Sequence, residues 1–182
     1  GGGSADAAAT VRAILKLYNL ERKKLKIKDL SLIGSDVPVC FYSKNSKVTG
    51  TGNLIRPLSK LKKKLWIMLI KPNCHYSTKK IYNSFKGPYE TKSNFTYTLT
   101  NLLKDMNENR NSLEETVLEQ ENKIKFLIKK LPLYKNISKP RITGSGSTVF
   151  IIFNKEKEVK EYENFLKDMK FIDWKKSTYL IL

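Results

Sequence analysis

Apolar residues along this chain recur in two rhythms, one at helical spacing and one as short unbroken runs, and together they predict a mixed fold. Val11, Ile14, Leu15 and Tyr18 mark one helical face. Its start is expected at Ser4, where an N-cap hydroxyl, Asp6 in the first turn and alanines at 7, 8 and 9 favour a helix. A basic stretch over 22–28 leads into a short helix expected over 27–33. Gly34-Ser35-Asp36-Val37-Pro38 breaks that helix, and residues 39–42 read as the beginning of extended structure. Residues 49–53 carry two glycines in a turn, and the polar run 58–64 reads as a linker that ends a first domain.

Residues 65–70 form the longest apolar run, of strand length, and Pro72 stops it. Ser77 is placed to cap a helix running to Phe85, and a further helix is expected over 96–106. The clearest helical pattern covers 112–131: Leu113, Val117, Leu118, Ile124 and Leu127 share a face, while Glu114, Glu115 and Glu119 favour its start. Pro132 closes it. A small-residue loop, Gly144-Ser145-Gly146-Ser147, then precedes a strand over 149–153, an amphipathic helix over 155–169 and a short last strand over 179–182. Strands and helices in this order predict an α+β sandwich, with helices on one side of an antiparallel sheet.

Composition narrows the class. The 182 residues are 40% hydrophobic, enough for a core, and no run of about 18 apolar residues offers a membrane span. Cys40 and Cys74 are the only cysteines, which suits a reducing cytoplasm and gives no metal-ligand spacing. The formal charge of +18 raises a nucleic-acid-binding module as an alternative. Such modules favour Arg and interleaved aromatics, whereas this chain has 30 Lys and five Arg, scattered. The charge therefore reads as a lysine-coated surface without a specific nucleic-acid partner.

Three features bear chemistry. Gly1-Gly2-Gly3-Ser4 opening a helix is either a phosphate cradle, where bare backbone and the helix dipole meet an anion, or a linker remnant. Gly144-Ser145-Gly146-Ser147-Thr148 is a second cradle or an ordinary strand-entry turn. Asp36, at a rigid bend with no basic neighbour in sequence, is either a general base for a hydroxyl or a turn cap. His75 reads as a loop residue, and Trp66 and Trp174 as core or interface anchors.

Taken in order, these segments, with Lys71-Pro72, Ser77-Thr78, Tyr82 and Thr143-Gly144-Ser145-Gly146-Ser147-Thr148-Val149-Phe150, resemble the GHMP kinase superfamily. Within it, Gly-Gly-Gly-Ser-x-Asp-Ala-Ala and Gly-x-Asp-Val-Pro resemble the kinases of cytidine-diphosphate methylerythritol, in the non-mevalonate isoprenoid pathway. A homoserine- or mevalonate-type kinase is the alternative within the superfamily. The resemblance implies a partial amino-terminal ribosomal-protein-S5-like domain over 1–62 and a ferredoxin-like α/β sandwich over 63–182. It implies ATP and Mg²⁺ as cofactors, with Gly1, Gly2, Gly3, Ser4, Gly144, Ser145 and Gly146 at the nucleotide. It implies Asp36 as the catalytic base and Thr78 and Tyr82 at the small-molecule substrate, with no metal ligand assigned among these residues. It also implies a cytoplasmic enzyme, bacterial or in a plastid, of unassigned oligomeric state. Ser35 stands where the family has alanine, and Asn111-Ser112-Leu113-Glu114 where it has Asn-Asp-Leu-Glu. The family's first motif, a strand carrying a lysine, has no match, so the chain is expected to be amino-terminally truncated and inactive by itself.

Overall fold

The computed structural model describes residues 2–60, 64–88, 102–134 and 137–181. It divides into two compact units, Gly1–Lys60 and Leu61–Leu182.

In the first unit, α1 (Gly2–Leu17) is the longest helix. Its inward face is Ser4, Ala7, Ala8, Val11, Arg12 and Leu15, a run at i, i+3, i+4 spacing. The expected face is thus rotated: Ile14 is 46% and Tyr18 67% exposed. The small alanines let α1 approach its neighbours closely, and Ala8 is fully buried with Leu30, Val37 and Phe41. A 3-10 turn at Arg22–Lys24 precedes α2 (Ile27–Ile33), whose start is closed by the Asp29 carboxylate accepting from the Lys26 amide at 3.0 Å. The stretch expected to be extended is a helix, α3 (Val37–Tyr42). Val39, Phe41 and Tyr42 suit a strand locally, but Pro38 in the first turn suits a helix start, and the helix buries Val37, Pro38 and Phe41 together. Strands β1 (Ser46–Thr49) and β2 (Leu54–Pro57) pair antiparallel around the two-glycine turn.

The second unit is a four-stranded antiparallel sheet. Its strands are β3 (Lys64–Pro72), β4 (Arg141–Ile142), β5 (Val149–Phe153) and β6 (Ile172–Ile181), in the order β4-β5-β3-β6. Helices α4 (Thr78–Ser84), α5 (Leu102–Glu108), α6 (Glu114–Gln120) and α7 (Asn122–Lys130) lie between the first two strands, and α8 (Glu156–Phe165) between the last two. With the nine-residue β3 inside the sheet and the sheet read 4-1-3-2, this is the ferredoxin-like β-α-β-β-α-β arrangement. Met68, Ile70, Val149, Ile151 and Phe153 form one apolar face of the sheet, and the register sets Met68 opposite Ile151 and Ile70 opposite Val149. Ile81, Val117, Ile124, Leu127, Val159, Tyr162 and Leu166 pack with them from the helices.

Three expectations for this unit change. The helix expected over 112–131 is two, broken at Glu121, which has φ −121° and ψ 84°. No glycine or proline marks the break, and the Glu121 carbonyl accepts from both Ile124 and Lys125 as α7 restarts. The last strand is ten residues long, not four: its lysines and polar residues hid it, as suits an exposed edge strand guarded by charge. Of the helix expected over 96–106, residues 96–101 lie outside those described, and α5 continues to Glu108. Of the two tryptophans expected as core or interface anchors, Trp174 lies outside the core at 42% exposure, and Trp66 is half-buried and packs edge-on to Tyr179 at 5.8 Å.

Candidate active site

The sequence-predicted residues fall into both units. Gly2, Gly3 and Ser4 are the first turn of α1 rather than a loop with Ser4 as N-cap; Gly1 lies outside the described residues. Gly2 and Gly3 are exposed, and a Cβ at either would meet nothing within 4 Å. Nothing in the packing of α1 requires glycine there.

Asp36 occupies the N-cap position of α3 with φ −90° and ψ −8°, yet its side chain makes no capping hydrogen bond. The residue is exposed, with Val37 and Pro38 buried immediately after it. Both ends of the short helix behind it are fixed. At its carboxyl end, Arg12 of α1 donates to the carbonyls of Cys40 (2.9 Å) and Phe41 (3.4 Å). Arg22 also donates to the Phe41 carbonyl and lies 4.5 Å over the Phe41 ring. At its amino end, the buried Gly52 of the β1–β2 turn sits against the Ser35 carbonyl.

In the second unit the loop between β4 and β5 is tied down from several sides. Asn111 donates to the carbonyls of Ile142 (3.1 Å) and Gly144 (2.6 Å), and its Oδ1 accepts from the Leu113 amide at 3.1 Å. The Tyr76 hydroxyl donates to the Ser145 carbonyl at 2.8 Å, and the Gly146 amide to the Thr143 carbonyl at 2.7 Å. Thr78 Oγ1 and the buried Ser145 Oγ are 3.0 Å apart. Four successive carbonyls, 142 to 145, are therefore engaged within the protein. Burial, with smaller contributions from Cys74 and Glu121, pushes the Tyr76 phenol far above its ordinary range and keeps it a donor. Arg141 anchors the strand leading in: it pairs with Glu114 at 3.1 Å and donates to the carbonyls of Met106 (2.7 Å) and Asn109.

The structure thus joins Thr78 to the Gly144-Ser145-Gly146 loop. Tyr82 lies one turn further along α4 and is 52% exposed. Ser77 stands at the expected N-cap position of α4 but makes no side-chain capping bond. Sequence reasoning passed over Tyr76, Asn111, Gly52 and Arg12. Asn111, just ahead of a helix rich in early glutamates, carried a readable signal as a turn former, but its acceptors are 31 and 33 residues away. Among the described residues, no cluster of three or more His, Cys, Asp or Glu is placed to hold a metal, and no helix is long and apolar enough to cross a membrane.

The chain superposes on a crystal structure of 4-(cytidine 5'-diphospho)-2C-methyl-D-erythritol kinase with a TM-score of 0.69 and 21% identity, covering 98% of this chain and 64% of the other. It superposes on homoserine kinase from Cytophaga hutchinsonii with a TM-score of 0.58 and 15% identity, covering 97% and 63%. The fold is that of the GHMP kinases. In sequence, the chain is 33% identical over 170 residues to the 4-diphosphocytidyl-2-C-methyl-D-erythritol kinase of Caldanaerobacter subterraneus, covering 90% of the chain and 58% of the relative. It is 33% identical over 181 residues to that of Thermodesulfovibrio yellowstonii, covering 92% and 62%. It is 32% identical over 168 residues to that of Buchnera aphidicola, covering 91% and 54%. The chain is similar in sequence to 4-diphosphocytidyl-2-C-methyl-D-erythritol kinases. It spans about 60% of the length of the curated relatives it matches, and no family model matches it.

Proposed function

We propose that the full-length protein containing this chain transfers the γ-phosphoryl group of ATP to the 2-hydroxyl of 4-diphosphocytidyl-2-C-methyl-D-erythritol, with Asp36 as the base. The observation that carries the reading is Asp36 itself. It is an exposed carboxylate that caps nothing, held at a bend whose following helix is fixed at both ends. A turn-capping aspartate would be engaged with the backbone.

In this reading the substrate hydroxyl oxygen forms a bond to the γ-phosphorus while the bond to the bridging β-γ oxygen breaks. ADP leaves, and the hydroxyl proton passes to Asp36. Phosphoryl transfer asks the protein chiefly for positioning and charge stabilisation. The first-turn amides of α1 supply a cradle at Gly2, Gly3 and Ser4. In the Gly144-Ser145-Gly146 loop the Gly146 amide is taken by the Thr143 carbonyl, and the amides of Gly144 and Ser145 are assigned to meet an anion. Thr78 and Tyr82 are assigned to the substrate. Mg²⁺ in such enzymes is held mainly by substrate phosphates with one or two carboxylates, which fits a chain without a carboxylate cage among its described residues. When bound it neutralises charge on the phosphates.

The test is Asp36→Asn in the full-length protein, followed by ADP release with the cytidine-diphosphate substrate. Turnover should fall by about two orders of magnitude or more, with affinity for ATP nearly unchanged. Near-normal turnover would remove Asp36 from the chemistry.

A further inference from the structure

The bend that carries Asp36 has no side-chain bond of its own holding it, so something else must fix its direction. The contact that does so comes from the β1–β2 hairpin. Gly52 is buried with φ +87°, and a Cβ built on it would lie 2.1 Å from the Ser35 carbonyl oxygen, 2.8 Å from its carbon and 3.3 Å from its Cα. All three are backbone atoms of the residue immediately before Asp36, so no side-chain rotation relieves the overlap. A positive φ adds strain for any L side chain at this position.

The hairpin pressing there is itself braced. Asn53 Oδ1 accepts from the Thr51 amide at 3.2 Å and faces its hydroxyl at 3.4 Å. At the base, the Leu58 amide donates to the Asn45 carbonyl at 2.8 Å. On the far side of the bend, the Val37 amide donates to the Gly34 carbonyl at 3.1 Å and the Cys40 amide to the Asp36 carbonyl at 3.2 Å. The bend is therefore closed from within by its own turn and pressed from without by a glycine.

Resting on the reading of Asp36 as the base, we infer that Gly52 is a positioning residue for the reaction. Its bare backbone lets the hairpin tip seat against Ser35 and fixes the direction of the Asp36 carboxylate, without touching a substrate.

The neighbouring Gly50 supplies the control. It also has positive φ, at +66°, but a Cβ there would meet the Asn53 side chain at 2.6 Å and no atom of the Ser35–Asp36 bend. Gly50→Ala and Gly52→Ala strain the same turn, and both should lower the melting temperature of the full-length protein. In Gly52→Ala, kcat should fall about tenfold to a hundredfold with KM for ATP within about twofold, as expected when a reacting group is displaced by roughly an ångström. Gly50→Ala should keep kcat within about threefold, an interval set by the modest strain of one turn. The Asp36 carboxyl carbon and amide resonances should move in Gly52→Ala and stay in Gly50→Ala. If Gly52→Ala does not fold, Leu58→Pro removes the amide that closes the hairpin base on the Asn45 carbonyl, loosens the seat against Ser35 without adding an atom there, and should shift the Asp36 resonances and lower kcat with KM held. Equal kcat in the two glycine variants, with Asp36 resonances unmoved in Gly52→Ala or in its substitute Leu58→Pro, would overturn the inference. Full turnover in Asp36→Asn would instead overturn the assignment of the base. The resonance comparison would still decide whether Gly52 sets the direction of Asp36.

Discussion

The Tyr76 hydroxyl and the α-carbon of Gly146 face each other so closely that a Cβ on Gly146 would lie 1.9 Å from the hydroxyl oxygen. The same hydroxyl donates to the Ser145 carbonyl, so one atom both bonds the loop and forbids a side chain beside it. Gly146→Ala should destabilise the protein through this overlap and through the strain of φ +87°. Tyr76→Phe leaves the Ser145 carbonyl without its donor and should cost about 1–3 kcal/mol. In the double variant the overlapping oxygen is gone and only the backbone strain remains. Urea denaturation of the four proteins should therefore give a coupling energy of at least about 0.5 kcal/mol, with the double variant more stable than the sum of the singles. Strict additivity would mean that the loop does not rest on Tyr76.

Gly3 offers a separation of stability from binding. It lies within α1, is exposed, and meets nothing that an added methyl would disturb. Helix propensity alone would favour alanine there by up to about 1 kcal/mol. If the first turn of α1 takes a phosphate, Gly3→Ala should leave the full-length protein as stable or more so, yet weaken its affinity for a non-hydrolysable ATP analogue. Titration calorimetry beside a thermal melt reads both. Unchanged affinity would return the glycines to the role of a spacer.

Much of this site was legible as types of residue at points along the chain, and little of it as geometry. The strand through Met68 and Ile70 and the strand through Ile151 and Phe153 were readable because burial demanded unbroken apolar runs. The strand Ile172–Ile181 was not, because an edge carries lysines and polar residues that no periodicity distinguishes from a loop. Residues 39–42 misled for the opposite reason: Val39, Phe41 and Tyr42 favour a strand locally, while Pro38 and the burial of Val37 and Phe41 against α1 favour a helix. Asp36 was visible as a carboxylate two residues before Pro38, with no basic neighbour in sequence. Whether it caps the turn or stays exposed depends on contacts from Arg12 and Gly52, 24 residues before it and 16 after. Asn111 and Tyr76 likewise act through the carbonyls of a distant loop, which sequence spacing does not encode.

The loop also carries a pH dependence whose sign follows from burial. Cys74 is buried, and burial above all, with a contribution from Glu121, raises its thiol above the usual value. A hydrogen bond with Ser147 and the charges of Lys123 and Lys71 partly oppose this. Tyr76 is raised further, again chiefly by burial. For both groups the folded state holds its proton more tightly than the unfolded chain does. Their contribution to stability is thus complete below the unfolded pKa and is lost as pH rises toward the folded one. The window opens at about pH 8.5 for the thiol and about pH 10 for the phenol, their ordinary values. Stability measured by urea denaturation should accordingly be flat from neutrality to about pH 8 and then fall, with the thiol responsible for the first part of the decline. Cys74→Ala should remove that first part and leave the later one, and Tyr76→Phe should lessen the later one, the rest of which falls to the buried Tyr162, whose phenol burial raises as well. Because both groups surround residues 144–147, opening the loop in Asn111→Ala should also speed alkylation of Cys74 at fixed pH. A decline that survives both substitutions unchanged would place the titrating groups elsewhere and detach the loop from the alkaline limit of the fold.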